Sequence, residues 1–250
     1  QYVFSTALFQ ENPVVLYHVL GDILNKRCKP TLTHCFFKLL QDRGLLRYLF
    51  TQNVDGLERY IGIDPKVLTE VHGTFMTASC FQCGKEHNIA NVREAVKNGD
   101  IPIACKKKKK CQGGYVKPDC VLFGQDLPEK YYDAVDVFNK HKDAIDLLLI
   151  MGTSLSVKPV SDLPHQVNPN CIRAMFNLET SEEIDNAFVF EGDGKNNQRD
   201  ILVKGKCDES VEELCKILKW DKELKQIYER SNALAEKISV ELNENNKQKE

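Results

Sequence analysis

Two hydrophobic rhythms run along this chain. Over residues 1–43 the apolar positions follow a helical period: Phe4, Phe9 and Val14-Val15-Leu16, then a second stretch from Thr31 to Leu40. Asn12-Pro13 and Pro30 supply helix starts, because proline fits a first helical turn whose N–H has no partner. Elsewhere the apolar residues gather into short continuous runs. Leu45 to Phe50 predicts a buried strand that stops at Thr51-Gln52-Asn53. Val116 to Phe123 resumes apolar alternation, and a helix is expected over Glu129 to Asn139. Ala144 to Met151 is the strongest strand, and its near-continuous apolar character predicts burial on both faces of a parallel sheet. Ile172 to Phe176 and Ile201 to Val203 predict two more strands. A helix should follow near 211–219, with Ser210-x-x-Glu213 as its capping box.

Strand, polar turn, helix, repeated, argues for an α/β fold with a doubly wound parallel sheet. Ligands of such sheets bind beyond the carboxyl ends of the strands. The polar clusters at 51–55, 152–154, 177–179 and 205–208 all follow predicted strands, so they are expected to line one crevice.

The 250 residues are 42% hydrophobic, enough for a sizeable core. A net charge of −2 gives no global attraction to nucleic acid or anionic membranes. No apolar run reaches the ~18 residues of a membrane-spanning helix, and no secretory signal is visible. The chain starts at Gln1 rather than Met, which reads as a fragment or a processed chain. Ten cysteines without a secretory signal point to a reducing compartment, nuclear or cytoplasmic.

Four of those cysteines stand apart. Cys80-x-x-Cys83 forms one knuckle, and 21 residues separate it from Cys105 and then Cys111. A Cys-x-x-Cys turn offers two thiolates to Zn²⁺, and the later pair completes a tetrahedron. With four thiolates no position stays open, so one zinc would be structural and contribute on the order of 10 kcal/mol to folding. The Lys106 to Lys110 run reads as a solvated loop. Cys28, Cys35, Cys120, Cys171 and Cys215 read as apolar packing residues.

His72 lies in Val71-His72-Gly73-Thr74-Phe75, a turn rather than an apolar helix face. Imidazole is the side chain best suited to exchange protons near neutral pH. Gln52, Asn53 and Asp55 are either turn formers or amide and carboxylate groups for sugar hydroxyls and a carboxamide. Gly152-Thr153-Ser154 is either an ordinary turn or a place where a ligand nears the backbone. The stretch after Lys117-Pro118-Asp119 is either a core strand or an edge for an extended peptide.

Taken in order, these motifs resemble the sirtuin family of NAD-dependent protein deacylases. The resemblance covers about residues 4–219 and rests on TQNVDGLE at 51–58, HGTF at 72–75, the four cysteines, KPDCVLFG at 117–124, MGTSLSVKP at 151–159, FNLE at 176–179 and GKCD at 205–208. It is nearest to the eukaryotic silencing and cytosolic deacetylase branch. It implies a Rossmann-like NAD-binding domain over 1–75 and 116–220, with a helical module near 1–43. A zinc-binding module would be inserted at 76–115. Outside the resemblance, the charged, helix-prone residues 221–250 read as a helical or disordered tail, with Asn243 to Glu250 disordered. His72 would be the base that helps deprotonate a ribose hydroxyl of NAD. Gln52 and Asn53 would contact the nicotinamide-side ribose, Asn53 as a catalytic residue, and Asp55 the carboxamide. Gly152, Thr153 and Ser154 would line the ribose and phosphates, Asn177, Leu178 and Glu179 would hold the adenosine, and Cys207 would sit near the adenine. Val121, Phe123 and Gly124 would form one side of a peptide groove, and Val157 would line the acyl-lysine tunnel. Cys80, Cys83, Cys105 and Cys111 would hold the zinc.

The implied reaction moves an acetyl group from lysine to ADP-ribose and releases nicotinamide. Acetylated proteins, histones among them, would be the substrates, with neither membrane nor direct nucleic-acid contact. Three departures from the family pattern stand out. The opening strand and glycine-rich loop should precede Gln1, Gln125 replaces a common Glu, and the Cys105–Cys111 spacing is wide. The first departure keeps a rival reading open, a non-catalytic zinc-braced module that binds acetylated peptides. A zinc hydrolase is disfavoured by the closed four-thiolate cage.

Overall fold

The computed structural model describes residues 2–24, 28–106, 111, 113–190 and 199–247. The helices are α1 (Thr6–Glu11), α2 (Pro13–Leu24), α3 (Leu32–Asp42), α4 (Leu57–Tyr60), α5 (Ile89–Asn98), α6 (Glu129–His141), α7 (Leu163–Gln166), α8 (Glu182–Ala187), α9 (Cys207–Ile217) and α10 (Asp221–Lys247). The strands are β1 (Leu49–Thr51), β2 (Leu68–Glu70), β3 (Gly73–Cys80), β4 (Glu86–His87), β5 (Val116–Cys120), β6 (Leu147–Met151), β7 (Ile172–Asn177) and β8 (Asp200–Lys204). The chain forms two compact units. One holds Gln1–Lys29, Tyr48–Tyr60 and Asp64–Tyr132; the other holds Pro30–Arg47, Ile61–Ile63 and Asp133–Glu250.

In the first unit β1 runs parallel to β2, and β3 lies between β4 and β5 in an antiparallel sheet. Pro13 opens α2 at its first helical position, as the sequence predicts. Leu16, Tyr17 and Leu20 of α2 meet Phe75 and Ala78 of β3, Val92 and Val96 of α5, and Val116 of β5 in one core. Leu16 and Leu20 are 1% and 0% exposed. Burying each is worth roughly 2 kcal/mol. The Tyr17 hydroxyl is satisfied by the Val116 carbonyl, and burial raises its pKa above the ordinary phenol value. Pairing of β3 with β5 slips between Thr74 and Ala78: Thr74 faces Asp119 while Ala78 faces Pro118. The bulge re-aims the strand between His72 and the cysteine knuckle.

In the second unit β6, β7 and β8 form a parallel sheet in that order. Side chains alternate across it. Leu149 and Met151 face a core built from α3, α9 and α10, while Leu148, Ile150, Met175 and Leu202 face a core shared with α8. Apolar groups thus cover both faces, the arrangement of a doubly wound α/β sheet. The burial expected of β6 belongs instead to β7, where four consecutive residues are buried. Among the described residues β6 lies at the edge of this sheet, and its Leu147 is 49% exposed.

Three further expectations need correction. Helix α9 starts at Cys207 with Lys206 as its N-cap, so Ser210 lies inside the helix and heads no capping box. Gly205 N donates to the Asn177 carbonyl at 3.0 Å, and that bond shortens the turn after β8. Asn243 to Lys247 are helical as the end of α10, whose Leu224 and Ile227 are buried beside Phe36 and Leu39. Cys28 is exposed, whereas Cys35, Cys120, Cys171 and Cys215 are buried as expected. Lys107 to Lys110 of the lysine run lie outside the described residues.

Candidate active site and metal centre

Four thiols converge in the first unit. The Sγ atoms of Cys80, Cys83, Cys105 and Cys111 all lie within 4.8 Å of one another. A tetrahedral cage with Zn–S of about 2.3 Å requires sulfurs about 3.8 Å apart. Cys80 and Cys111 are separated by 3.4 Å and Cys83 and Cys105 by 3.9 Å, and all four are free thiols. Cys80 ends β3, and its knuckle closes through Gly84 N to Cys80 O at 2.9 Å and Cys80 N to Lys85 O at 2.8 Å. The wide second knuckle is pinned by Cys105 N donating to Gly114 O at 2.8 Å. Gly114 has no substitute there: a Cβ would stand 2.6 Å from Cys111 Sγ and 2.7 Å from Cys80 Sγ. The sulfurs differ in acidity. A hydrogen bond from the Lys85 backbone lowers Cys83 to about 7, whereas burial pushes Cys111 up to about 12. A divalent cation bound by the four would keep them all as thiolates. The set fits one structural zinc.

His72 follows β2 and precedes β3. Its Nδ1 lies 3.0 Å from the Gln52 carbonyl. A carbonyl only accepts, so Nδ1 carries the proton and the neutral ring keeps its lone pair on Nε2. The His72 carbonyl accepts from Val121 N at 2.8 Å, and Val71 N donates to Thr51 O at 2.9 Å. Those bonds fasten the histidine turn to the end of β1 and to the segment after β5. Asn53 N donates to Thr51 Oγ1 at 3.2 Å, and Asp55 Oδ1 accepts from Leu57 N at 3.0 Å, starting α4. Gln52, Asn53, Asp55, His72 and Val121 therefore belong to one connected loop cluster.

Phe123 is already paired at its backbone. Its N–H donates to Phe4 O at 2.7 Å and its carbonyl accepts from Thr6 N at 2.9 Å. Leu122 N donates to Gln125 Oε1 at 3.2 Å. The Phe123 ring is 48% exposed and Gly124 is exposed as well.

In the second unit the remaining candidates gather at the carboxyl ends of the parallel strands. Gly152 N donates to Phe176 O at 3.0 Å, and Asn177 Nδ2 donates to Thr153 O at 2.9 Å. Ser154 O accepts from Ser181 Oγ at 3.0 Å, and Cys207 Sγ donates to Phe176 O at 3.3 Å. Burial, with Asp208 nearby, raises the Cys207 pKa and favours the donating thiol. Leu178 and Glu179 point outward, Leu178 being 55% exposed. Val157 is half-buried, and its carbonyl accepts from Ser161 N at 3.2 Å.

Two residues near these sites escaped the sequence reading. Thr51 Oγ1 holds Asn53, a role its place at the head of the 51–55 cluster hinted at without assigning it. His87 Nε2 lies 3.6 Å from Cys105 Sγ, and a histidine four residues past a Cys-x-x-Cys was the available signal.

One unit carries a parallel α/β sheet with polar strand ends, and the other carries a four-cysteine cluster that fits a structural zinc. A model of the Sir2 family matches residues 1–159. The NAD-dependent protein deacetylase hst2 of Schizosaccharomyces pombe is 34% identical over 239 residues, 95% of this chain and 67% of that protein. HST2 of Candida albicans, also a deacetylase by name, is 35% identical over 91% of this chain and 64% of its own length. Sirtuin-2 of Danio rerio is 34% identical over 93% of this chain and 62% of its own length. The chain thus spans about two thirds of the length of these relatives, and it belongs to the Sir2 family.

Proposed function

We propose that this chain is an NAD-dependent protein-lysine deacetylase, or the larger part of one. The observation that carries the reading is His72, held through Nδ1 by the Gln52 carbonyl so that Nε2 is the basic nitrogen. Relatives named as NAD-dependent deacetylases support it. The second unit suits a dinucleotide: backbone and amide groups of Gly152, Thr153, Ser154 and Asn177 cluster at strand ends, and Glu179, two residues after Asn177, is exposed. When bound, NAD supplies the ADP-ribosyl acceptor for the acetyl group.

In this reading His72 Nε2 takes a proton from a ribose hydroxyl. Gln52 and Asn53 orient the nicotinamide-side ribose, and Asp55 holds the carboxamide. Leu178, Glu179 and Cys207 bound the adenosine. Val121, Phe123 and Gly124 form one side of the peptide groove, and Val157 lines the acyl-lysine tunnel. Because Phe123 is paired to Phe4 and Thr6, a peptide strand would add beside Gly124 or displace that pairing. The substrates are acetylated proteins, histones among them. Ten free cysteines support a reducing nuclear or cytoplasmic setting. Among the described residues no helix is long and apolar enough to cross a membrane.

Mass spectrometry of a reaction with NAD and an acetyl-lysine peptide tests the proposal. Nicotinamide and acetyl-ADP-ribose should appear together, and His72→Ala should reduce both at least about a hundredfold, the size of a lost general base. Absence of both products with the unaltered chain would overturn the catalytic reading in favour of peptide binding without turnover.

A further inference from the structure

The cage has polar neighbours around it as well as ligands within it. Backbone packs against two corners: Lys85 O accepts from Cys80 N at 2.8 Å, and Gly114 lies so close to Cys111 that a Cβ on it would stand 2.6 Å from Sγ. At Cys105 the neighbour is a side chain, the His87 ring, with Nε2 at 3.6 Å from Sγ. The set of mutually close ligand atoms contains the four cysteines and not His87. The imidazole therefore stands against one corner of the cage and is no fifth ligand.

We propose that His87 is a positioning residue for the metal, donating Nε2–H to the zinc-bound thiolate of Cys105. Two arguments carry this. A thiolate bound to Zn²⁺ has no proton, so it can only accept, and the proton of the contact must sit on Nε2. Four thiolates around Zn²⁺ leave a net charge of −2, which N–H donors at the sulfurs spread over neighbouring groups. Hydrogen bonds from outside the ligand set orient the ligands and govern how readily the metal leaves.

Local structure holds the ring in place. β4 is two residues long, and it pairs His87 with Ala78 of β3. The next residue, Asn88, caps α5 by accepting from Ala90 N at 2.8 Å. His87 is thus clamped between a strand pair and a helix start. His87 also lines a cavity of about 200 Å³ with Met76, Thr77, Glu86 and Ile89. Its bulk and its hydrogen bonding must therefore be separated by experiment.

His87→Phe keeps the bulk without the donor, and His87→Gln keeps a donor. Zinc content of the unaltered chain comes first. One ion per chain is expected, and none would overturn the cage and the role of His87 together. In the zinc-loaded protein, nitrogen-15 NMR should find His87 as the Nε2–H tautomer; an Nδ1–H tautomer overturns the proposal without any variant. Zinc transfer to a colorimetric chelator should run about tenfold faster from His87→Phe than from the unaltered chain. His87→Gln should restore the slow rate. With Co²⁺ in place of zinc, the sulfur-to-metal charge-transfer band should move in His87→Phe and return in His87→Gln. Equal release rates and an unmoved band in folded His87→Phe would show that the ring only fills space.

Discussion

Gly73 shows how one missing Cβ holds the candidate base in place. It follows His72, has φ of +74°, and pairs with Cys120 across the sheet. A Cβ there would lie 1.9 Å from the Asp119 carbonyl oxygen, an impossible contact with backbone that cannot swing aside. Gly84 also has a positive φ, +65°, but nothing lies within 4 Å of its Cβ position. Gly84→Ala should therefore cost only the left-handed penalty, about 1 kcal/mol. Gly73→Ala adds the collision and should cost at least about 3 kcal/mol in urea unfolding. Similar losses for both would show that the β3–β5 register yields easily. At this scale the sequence is informative where chemistry is concentrated. His72, Gly73 and the four cysteines announce themselves by residue type and spacing. The pairing of His87 with Cys105 does not, because it depends on a two-residue strand that no periodicity reveals.

At the scale of elements, the parallel sheet of the second unit divides its labour between its two ends. The carboxyl ends carry the candidate site; the amino ends carry a buried ion pair. Arg173 of β7 faces Asp200 of β8 in register, and two hydrogen bonds of 2.6 and 2.5 Å join them. Both side chains are nearly inaccessible, at 5% and 2%. Arg173 also donates to the Pro164 carbonyl at 3.1 Å and lies 4.3 Å over the Phe188 ring, while Val189 N donates to Asp200 at 3.0 Å. Burial alone would raise the Asp200 pKa, but the Arg173 and Val189 hydrogen bonds and the arginine charges outweigh it and hold the carboxyl below the usual aspartate range. A depressed folded value means the stabilisation is complete above the unfolded aspartate pKa near 4 and is lost as pH falls below it, through the folded value. Asp200→Asn strands a buried guanidinium and should cost about 3 kcal/mol at neutral pH. Its stability should also change less than that of the unaltered chain on acidification below pH ~4. A cost below about 1 kcal/mol would show that water or another group replaces the carboxylate. Strands and helices of this sheet were legible because apolar runs and polar turns alternate. Their order across the sheet was not. An apolar run looks the same at a centre and at an edge, so β6 read as the most buried strand and β7 is.

At the scale of the molecule, three apolar clusters matter, and the metal belongs beside one of them. The first-unit core packs α1 and α2 against β3, α5 and β5, with Cys105 at its margin. The two cores of the second unit flank β6–β8 and draw on α3, α8, α9 and α10. The helical pattern of residues 1–43 announces helices but not their partners. α2 joins the first-unit core and α3 the second, because a helical period reports an apolar face and not what covers it. This division sets what loss of zinc should do. Cys80 ends β3, and the Cys105–Cys111 knuckle is tied through Gly114 to the chain entering β5, so the cage joins the strands that carry His72 at their other end. Removing the ion leaves four thiols, two of them buried, with no charge to hold them together. Chelation at neutral pH should therefore strip hydrogen-exchange protection from β3, β5 and α5, while the amides of β7 and β8 keep theirs. Cys111→Ala should reproduce that pattern with zinc content near zero. If protection in β7 fell in step with that in β3, the cage would be supporting the whole molecule. If neither changed, the four cysteines would not be the ligands.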